Sequence, residues 1–449
     1  MGLSVATFRP TVPITPGYVS KSISHFTDLN GSASSGVLFP VQAPLHIAKG
    51  DKVGVVLLVP GAPESKSDIF AYLSKQFMLP DSRATGIKFW ASRFQSRLKA
   101  RLSTPRFVHE YEAIGGGDSI NRFNREQAVD LDRRLKSSSV VPVGVSMETY
   151  VASPFGCPSM KDAARKMEKD AITHIILLPL FPQFASHTTG CALAEWGKTI
   201  SEFSLVNCPS TTVWEFAVRD SFLSALNERI DQGLQRFSRA LRSDVALLFV
   251  AHGNKESLSA KDKDPYCCMV HNTVDRVMKQ RDDNRTFEFT FVKRKDRGEG
   301  VESSLKTKIR KMVQDGKRAV LVVPVDQVSE QFDSSYLLEV DLRKVSDTLG
   351  VTHYHVVSGI NCHPLFMSGL TDSVLDSIVP KSTLERRAEL CQMACPKPMW
   401  DSNSAPTSAC SICPYHPTQN AVGESRPSMA HSELKKEASK STTSPSKPV

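Results

Sequence analysis

VALLFVAHGN, residues 245–254, is the stretch on which the reading of the fold turns. An unbroken apolar run leaves no face for water, so it reads as a strand covered on both sides, as strands of parallel sheets are. Gly253 then permits a sharp turn and leaves room beside His252 at the strand's end. Six further runs share this character: KVGVVLLVP (52–60), VVPVGVSM (140–147), HIILLPLFP (174–182), TFEFTFVK (286–293), AVLVVPV (319–325) and HYHVVSG (353–359). Between strands lie SMKDAARKMEKDAI (159–172), DSFLSALNERIDQGLQRFSRAL (220–241) and GVESSLKTKIRKMVQDG (300–316), whose apolar residues recur every three or four positions, as helices require. Strand and helix in alternation predict an α/β protein with parallel sheets flanked by helices.

ILLPLFPQFASHTT (176–189) and LVVPVDQVSEQFDSS (321–335) echo each other, each passing from a buried strand through a proline into a polar loop that opens a helix. The echo predicts duplicated α/β halves whose two loops face one cleft, because open α/β sheets hold ligands beyond the carboxyl ends of their strands. Expected boundaries are 49–215 for the N-terminal lobe and 216–380 for the C-terminal one. Residues 1–48 are set apart: the first 27 contain no Asp or Glu, are rich in Ser, Thr and Pro, and carry Arg9 and Lys21, the composition of a transit segment. Residues 418–449, rich in Ser, Pro and Lys, are too poor in apolar side chains to order themselves.

A chain of 449 residues exceeds what one core usually serves. No apolar run reaches the ~20 residues that span a bilayer, so any membrane contact is peripheral. The net charge of +9 is spread without the stripe of interleaved aromatics that nucleic-acid binding uses, and no nucleic-acid partner is expected. FMLPDSRATGIKFWASRFQSRLKARL (77–102) combines large apolar groups with six basic ones and the single acid Asp81. Such a segment suits an anionic membrane or the mouth of a hydrophobic site, and equally an ordinary helix with a solvated basic face.

Three features carry candidate chemistry. His252, with an ordinary pKa of about 6.5, either accepts a proton near neutrality or simply bonds a loop carbonyl. Asp333 and Glu330 share a helical face just past the 319–325 run, where Asp333 accepts protons or holds a divalent cation, or where Asp333 or Ser334 simply caps a helix. The glycines of IGGGDSINRF (114–123) either cradle an anion or make a plain connection, and their spacing matches no nucleotide fingerprint.

Taken in order, GVVLLVPGAPES, YEAIGGGDSI, LPLFPQFASHTTG, LFVAHGN, DPYCCMVHNTVDRVM and SGINCHPLF resemble the ferrochelatases, which insert ferrous iron into a porphyrin. The resemblance spans roughly residues 50–380. It implies a chelatase-type fold of two Rossmann-like lobes with a porphyrin cleft between them, and a lyase that makes protohaem from Fe2+ and protoporphyrin IX, coproporphyrin III being the alternative substrate and a porphyrin-binding protein without turnover the alternative role. It further implies that His252 takes pyrrole protons and that Asp333, with Glu330, relays protons or iron, so that His252 and Asp333 meet the Fe2+ substrate. Porphyrin contacts are implied at Pro60, Tyr150, Ser186, Thr188 and Thr189. A mitochondrial inner-membrane location, ahead of a plastid one, and a homodimer complete the expectation.

Several positions depart from the family pattern. Glu148 stands for the arginine of an Arg-Tyr pair, Val59 for an asparagine, Gln331 for a histidine, and Asp333 for a glutamate. A carboxylate in place of a cation would weaken any propionate contact at 148. In the 381–417 tail, Cys391, Cys395, Cys410 and Cys413 form two close pairs, which suit a four-ligand site. SACSIC resembles the Cys-x-x-Cys of ferrochelatases carrying a [2Fe-2S] cluster; zinc or four free thiols are the other readings.

Overall fold

The computed structural model describes residues 45–78, 86–113, 115, 119–213, 216–217, 219–253, 266–292, 303–331 and 335–378. Expectations for the N-terminal 44 residues, for Asp333 and for Cys391, Cys395, Cys410 and Cys413 fall outside those residues. Two four-stranded parallel sheets carry the fold. The first contains β1 (Lys52–Leu58), β2 (Ser146–Ala152), β3 (His174–Pro179) and β4 (Ser210–Thr212) in the order β2-β1-β3-β4. The second contains β5 (Ala246–His252), β6 (Phe287–Val292), β7 (Ala319–Pro324) and β8 (His353–Val356) in the order β6-β5-β7-β8. Strand for strand, the two orders are the same.

Alternation along each strand sends side chains to two different cores, which is why the strands are apolar throughout. Val53, Val55 and Leu57 of β1 join Leu247, Phe249 and Ala251 of β5 in one core shared by both sheets. Helices α3 (Ser119–Lys136), α6 (Asp220–Gln235), α7 (Tyr266–Arg281) and α10 (Pro364–Leu375) fill that core, with Val270, Val274 and Val277 of α7 at helical spacing. The other parity of β1, Val56 and Leu58, packs under α4 (Met160–Lys169) and α5 (Cys191–Ile200). On β5 it is Ala246, Leu248 and Val250, covered by α8 (Ser303–Gln314) and α9 (Leu342–Thr348). Helices α1 (Ile69–Met78) and α2 (Gly86–Ala113) pair around a small core of Ile69, Leu73 and Ala100.

Polar ties lock the lobes. The buried Gln127 amide of α3 donates to Ser329 Oγ at 3.1 Å and to the Asn361 carbonyl at 2.9 Å. The buried Gln183 amide, past β3, donates to Thr273 Oγ1 at 3.0 Å and to the Val325 carbonyl at 3.1 Å.

Two sequence expectations shift. VVPVGVSM is a turn for most of its length, and β2 starts only at Ser146. Pro142 lacks a ladder donor, Gly144 adopts φ 88°, and Val143 is 93% exposed, so the run bends out to water where a strand was expected. The helix expected over 220–241 ends at Gln235, where the Arg242 guanidinium donates to the carbonyls of Gln235 and Phe237. Strand β4, Ser-Thr-Thr, offered no apolar run to read. Among the described residues, no helix is long and apolar enough to cross a membrane.

Candidate active site

His252 is the last residue of β5, and Gly253 beyond it adopts φ 145°. Parallel registry pairs Val250 with Pro324 of β7, which brings Asp326 beside His252 two residues past that pair. One carboxylate oxygen, Asp326 Oδ2, accepts the His252 backbone N–H at 2.8 Å and lies 2.9 Å from His252 Nδ1. The Tyr266 hydroxyl reaches the same oxygen at 2.9 Å and the His252 carbonyl at 2.8 Å. Asp326 Oδ1 is buried with no partner among the described residues.

Burial pushes the Asp326 carboxyl up, but the His252 charge, the two bonds from His252 and the Tyr266 hydroxyl outweigh it and hold the group below its ordinary value. An ionised carboxylate only accepts hydrogen bonds, so its contact with the ring assigns a proton to Nδ1. A neutral imidazole so held carries its lone pair on Nε2. The His252 side chain is 39% exposed and the Asp326 side chain 8%, so the pair is a buried anchor with a ring reaching outward.

The first sheet repeats this geometry with different chemistry. Leu58 pairs with Pro179 as Val250 pairs with Pro324, so Pro60 matches His252, Gly61 matches Gly253, and Phe181 matches Asp326. Gly61 adopts φ 67°, and a Cβ there would lie 2.2 Å from Ser153 Oγ, a close approach only glycine allows. Ser153 donates to the Pro60 carbonyl at 2.9 Å. Beyond the third strand of each sheet comes a π-helical segment, Ser186–Gly190 in the first and Tyr336–Asp341 in the second. Such segments are rare and concentrate at functional sites.

The expected site residues separate into groups. Pro60 lies two residues past the end of β1, and His252 is the last residue of β5. Ser186, Thr188 and Thr189 all lie on the first π-helical segment; Thr188 Oγ1 donates to the Ala185 carbonyl at 3.4 Å, and buried Thr189 Oγ1 has no partner among the described residues. Glu330 accepts the Gly359 N–H at 3.1 Å, which ties the loop after β7 to the loop after β8. Tyr150 is not at the carboxyl end of its sheet: it is buried under α4, with Lys166 over its ring, and its hydroxyl donates to Asp170 past the end of that helix, at 2.8 Å. Burial, then the bond to Asp170, push the phenol upward.

The departures are similarly placed. Glu148 pairs with Lys136 at 2.9 Å and stands opposite Gly54, near the amino end of β1. Val59 is fully buried in the shared core. The Gln331 carbonyl accepts the Ser335 N–H at 2.8 Å.

Asp326 and Tyr266 were not singled out from sequence, although both lie in quoted motifs. The available signal was the echo itself: aligning Pro179 with Pro324 sets an aspartate in the second lobe where the first has Phe181. Among the described residues, no three His, Cys, Asp or Glu side chains are grouped to hold a metal ion.

Comparison with known proteins supplies the context for this geometry. The ferrochelatase family profile matches residues 52–378. A ferrochelatase of Gloeobacter violaceus is 27% identical over 334 residues, covering 73% of this chain and 98% of its own. Ferrochelatase-2, chloroplastic, of Oryza sativa subsp. japonica is 26% identical over 380 residues, covering 82% and 71%. Among solved structures, SirB from Bacillus subtilis with Fe3+ aligns with a TM-score of 0.43 at 11% identity, over 73% of this chain and 96% of that one.

Proposed function

The chain belongs to the ferrochelatase family, a family of metal-chelating lyases, and we propose that it inserts Fe2+ into protoporphyrin IX with His252 as the acceptor of pyrrole protons. Insertion exchanges two pyrrole N–H protons for one divalent ion, so charge balances only if both protons find acceptors while iron sheds its water. The observation that carries the proposal is His252 at the carboxyl end of a central strand, its Nδ1 engaged by buried Asp326 and its Nε2 therefore the basic nitrogen. Asp333 is the opposing carboxylate in this reading and takes the second proton. Glu330, whose carboxylate accepts the Gly359 N–H, acts with Asp333 in this reading to relay protons or iron. Pro60 and the segment Ser186–Gly190, with Ser186, Thr188 and Thr189, border the porphyrin cleft from the first lobe.

Anaerobic assay with Fe2+ and protoporphyrin tests this directly. The wild type turns over, and His252→Ala loses about 10²–10⁴-fold in kcat while still binding porphyrin. Tight porphyrin binding by the wild type with no insertion would instead mark a binding protein. Running coproporphyrin III in parallel and comparing kcat/KM fixes which porphyrin is preferred.

The same reading includes peripheral membrane contact, and its support is on α2. Phe94, Leu98 and Leu102 lie one turn apart and are 70%, 48% and 73% exposed, next to exposed Arg93, Arg97 and Arg101. An apolar stripe flanked by arginines suits an anionic bilayer surface. The acid-free N-terminus supports delivery to a mitochondrion, tested with a fluorescent fusion, plastid fluorescence being the contrary result. Light scattering tests the homodimer. A [2Fe-2S] cluster on Cys391, Cys395, Cys410 and Cys413 rests on their paired spacing; visible bands lost in Cys410→Ser support it, and a colourless protein refutes it.

A further inference from the structure

The polar pair at the end of β5 has no counterpart at the matching end of β1. There Pro60 has no N–H to satisfy, and Phe181 occupies the place of Asp326. The turn forms there without a carboxylate because no N–H needs an acceptor, whereas the His252 N–H has one in Asp326. Asp326 also does more than cap a strand end: the oxygen that takes the His252 N–H at 2.8 Å is 2.9 Å from Nδ1 of the same residue. Tyr266, bonded to that oxygen and to the His252 carbonyl, closes a ring of hydrogen bonds around the base of the imidazole.

We infer that Asp326 is a positioning residue for iron insertion, holding the His252 ring in one orientation and in the tautomer whose lone pair is on Nε2. The inference rests on the ferrochelatase reading above. An imidazole held only by its backbone has two tautomers and several rotamers, and a carboxylate on one nitrogen selects both the ring orientation and the basic atom. When Nε2 takes a pyrrole proton, the imidazolium that forms already donates through Nδ1 to Asp326. The proton stays on the ring until water removes it from Nε2, and Asp326 remains a carboxylate throughout.

Asp326→Asn is the decisive variant, because its size is nearly unchanged while its amide can donate to Nδ1 and so favour the other tautomer. We expect kcat to fall about 10–100-fold, with porphyrin Kd and KM within about 2-fold of wild type. Histidine-labelled 15N NMR on the full chain supplies a readout that a purely structural role would not move. The His252 signal, identified by its loss in His252→Gln, should report Nδ1–H in the wild type and lose that signature in Asp326→Asn. Wild-type turnover in Asp326→Asn, or an unchanged tautomer, overturns the inference and leaves the ferrochelatase reading intact. A wild-type chain that inserts no iron overturns the reading, and the positioning role of Asp326 with it.

Discussion

Asp326 lies 74 residues from the histidine it holds, and only strand registry brings them together. His252 could be read from sequence because an apolar strand ending in Ala-His-Gly leaves a histidine nowhere else to go. Its partner could not, because neighbouring strands of a parallel sheet are joined by long crossovers whose length does not state which residues face each other. Tyr150 shows the opposite failure: a motif position resembled a contact, while the side chain belongs to the face packed under α4. The Tyr266 hydroxyl gives a graded test at this scale. Tyr266→Phe removes a hydroxyl whose single proton is shared between the Asp326 carboxylate and the His252 carbonyl, and we expect kcat to fall about 5-fold, a loss of ~1 kcal/mol and less than for Asp326→Asn. A loss as large as that of His252→Ala would place the phenol itself in the chemistry.

Helix α2 shows how much of an element its sequence reveals. Along 92–102 the small residues Ser92, Ser96 and Ala100 are buried, while the large apolar groups Phe94, Leu98 and Leu102 are exposed. The mixture of apolar and basic residues was visible in the sequence; which side each took depended on the partner helix. Replacing the three with Ser should abolish sedimentation with anionic vesicles and leave turnover of a detergent-solubilised porphyrin unchanged, whereas unaltered sedimentation would remove the stripe from the membrane contact. A second element test concerns α8 and β6, where Glu288 bonds Lys308 and Lys311 at 2.6 Å each. Burial raises the Glu288 carboxyl, but the two lysines outweigh it and hold it below 4.5. A depressed folded value adds stability above the unfolded pKa and loses it as pH falls through the folded one. Glu288→Gln should therefore lower Tm by about 1–2 °C at neutral pH, as expected for ~0.5 kcal/mol, and the difference should shrink as the pH is lowered towards 4. A pH-independent difference would contradict the ion-pair account.

At the scale of the whole molecule, the duplicated plan explains both what was legible and what was not. Repeated strand-proline-loop segments announced two lobes, and the two sheets share one strand order. The ties between lobes were silent, since Gln127 and Gln183 look like ordinary polar residues until burial makes their amides obligatory partners. Gln127→Leu should cost about 1–3 kcal/mol in denaturant unfolding, because it leaves a buried hydroxyl and a buried carbonyl in the opposite lobe unpaired. The β2 expectation slipped because a Val-rich run carrying Pro142 and Gly144 has strand composition and turn backbone at once. The most direct measurement is a structure of the chain with metal-free protoporphyrin IX bound. The account predicts a macrocycle between the lobes with a pyrrole nitrogen about 3 Å from His252 Nε2, within hydrogen-bond reach, and a porphyrin seated elsewhere, with that nitrogen turned away from it, would contradict it.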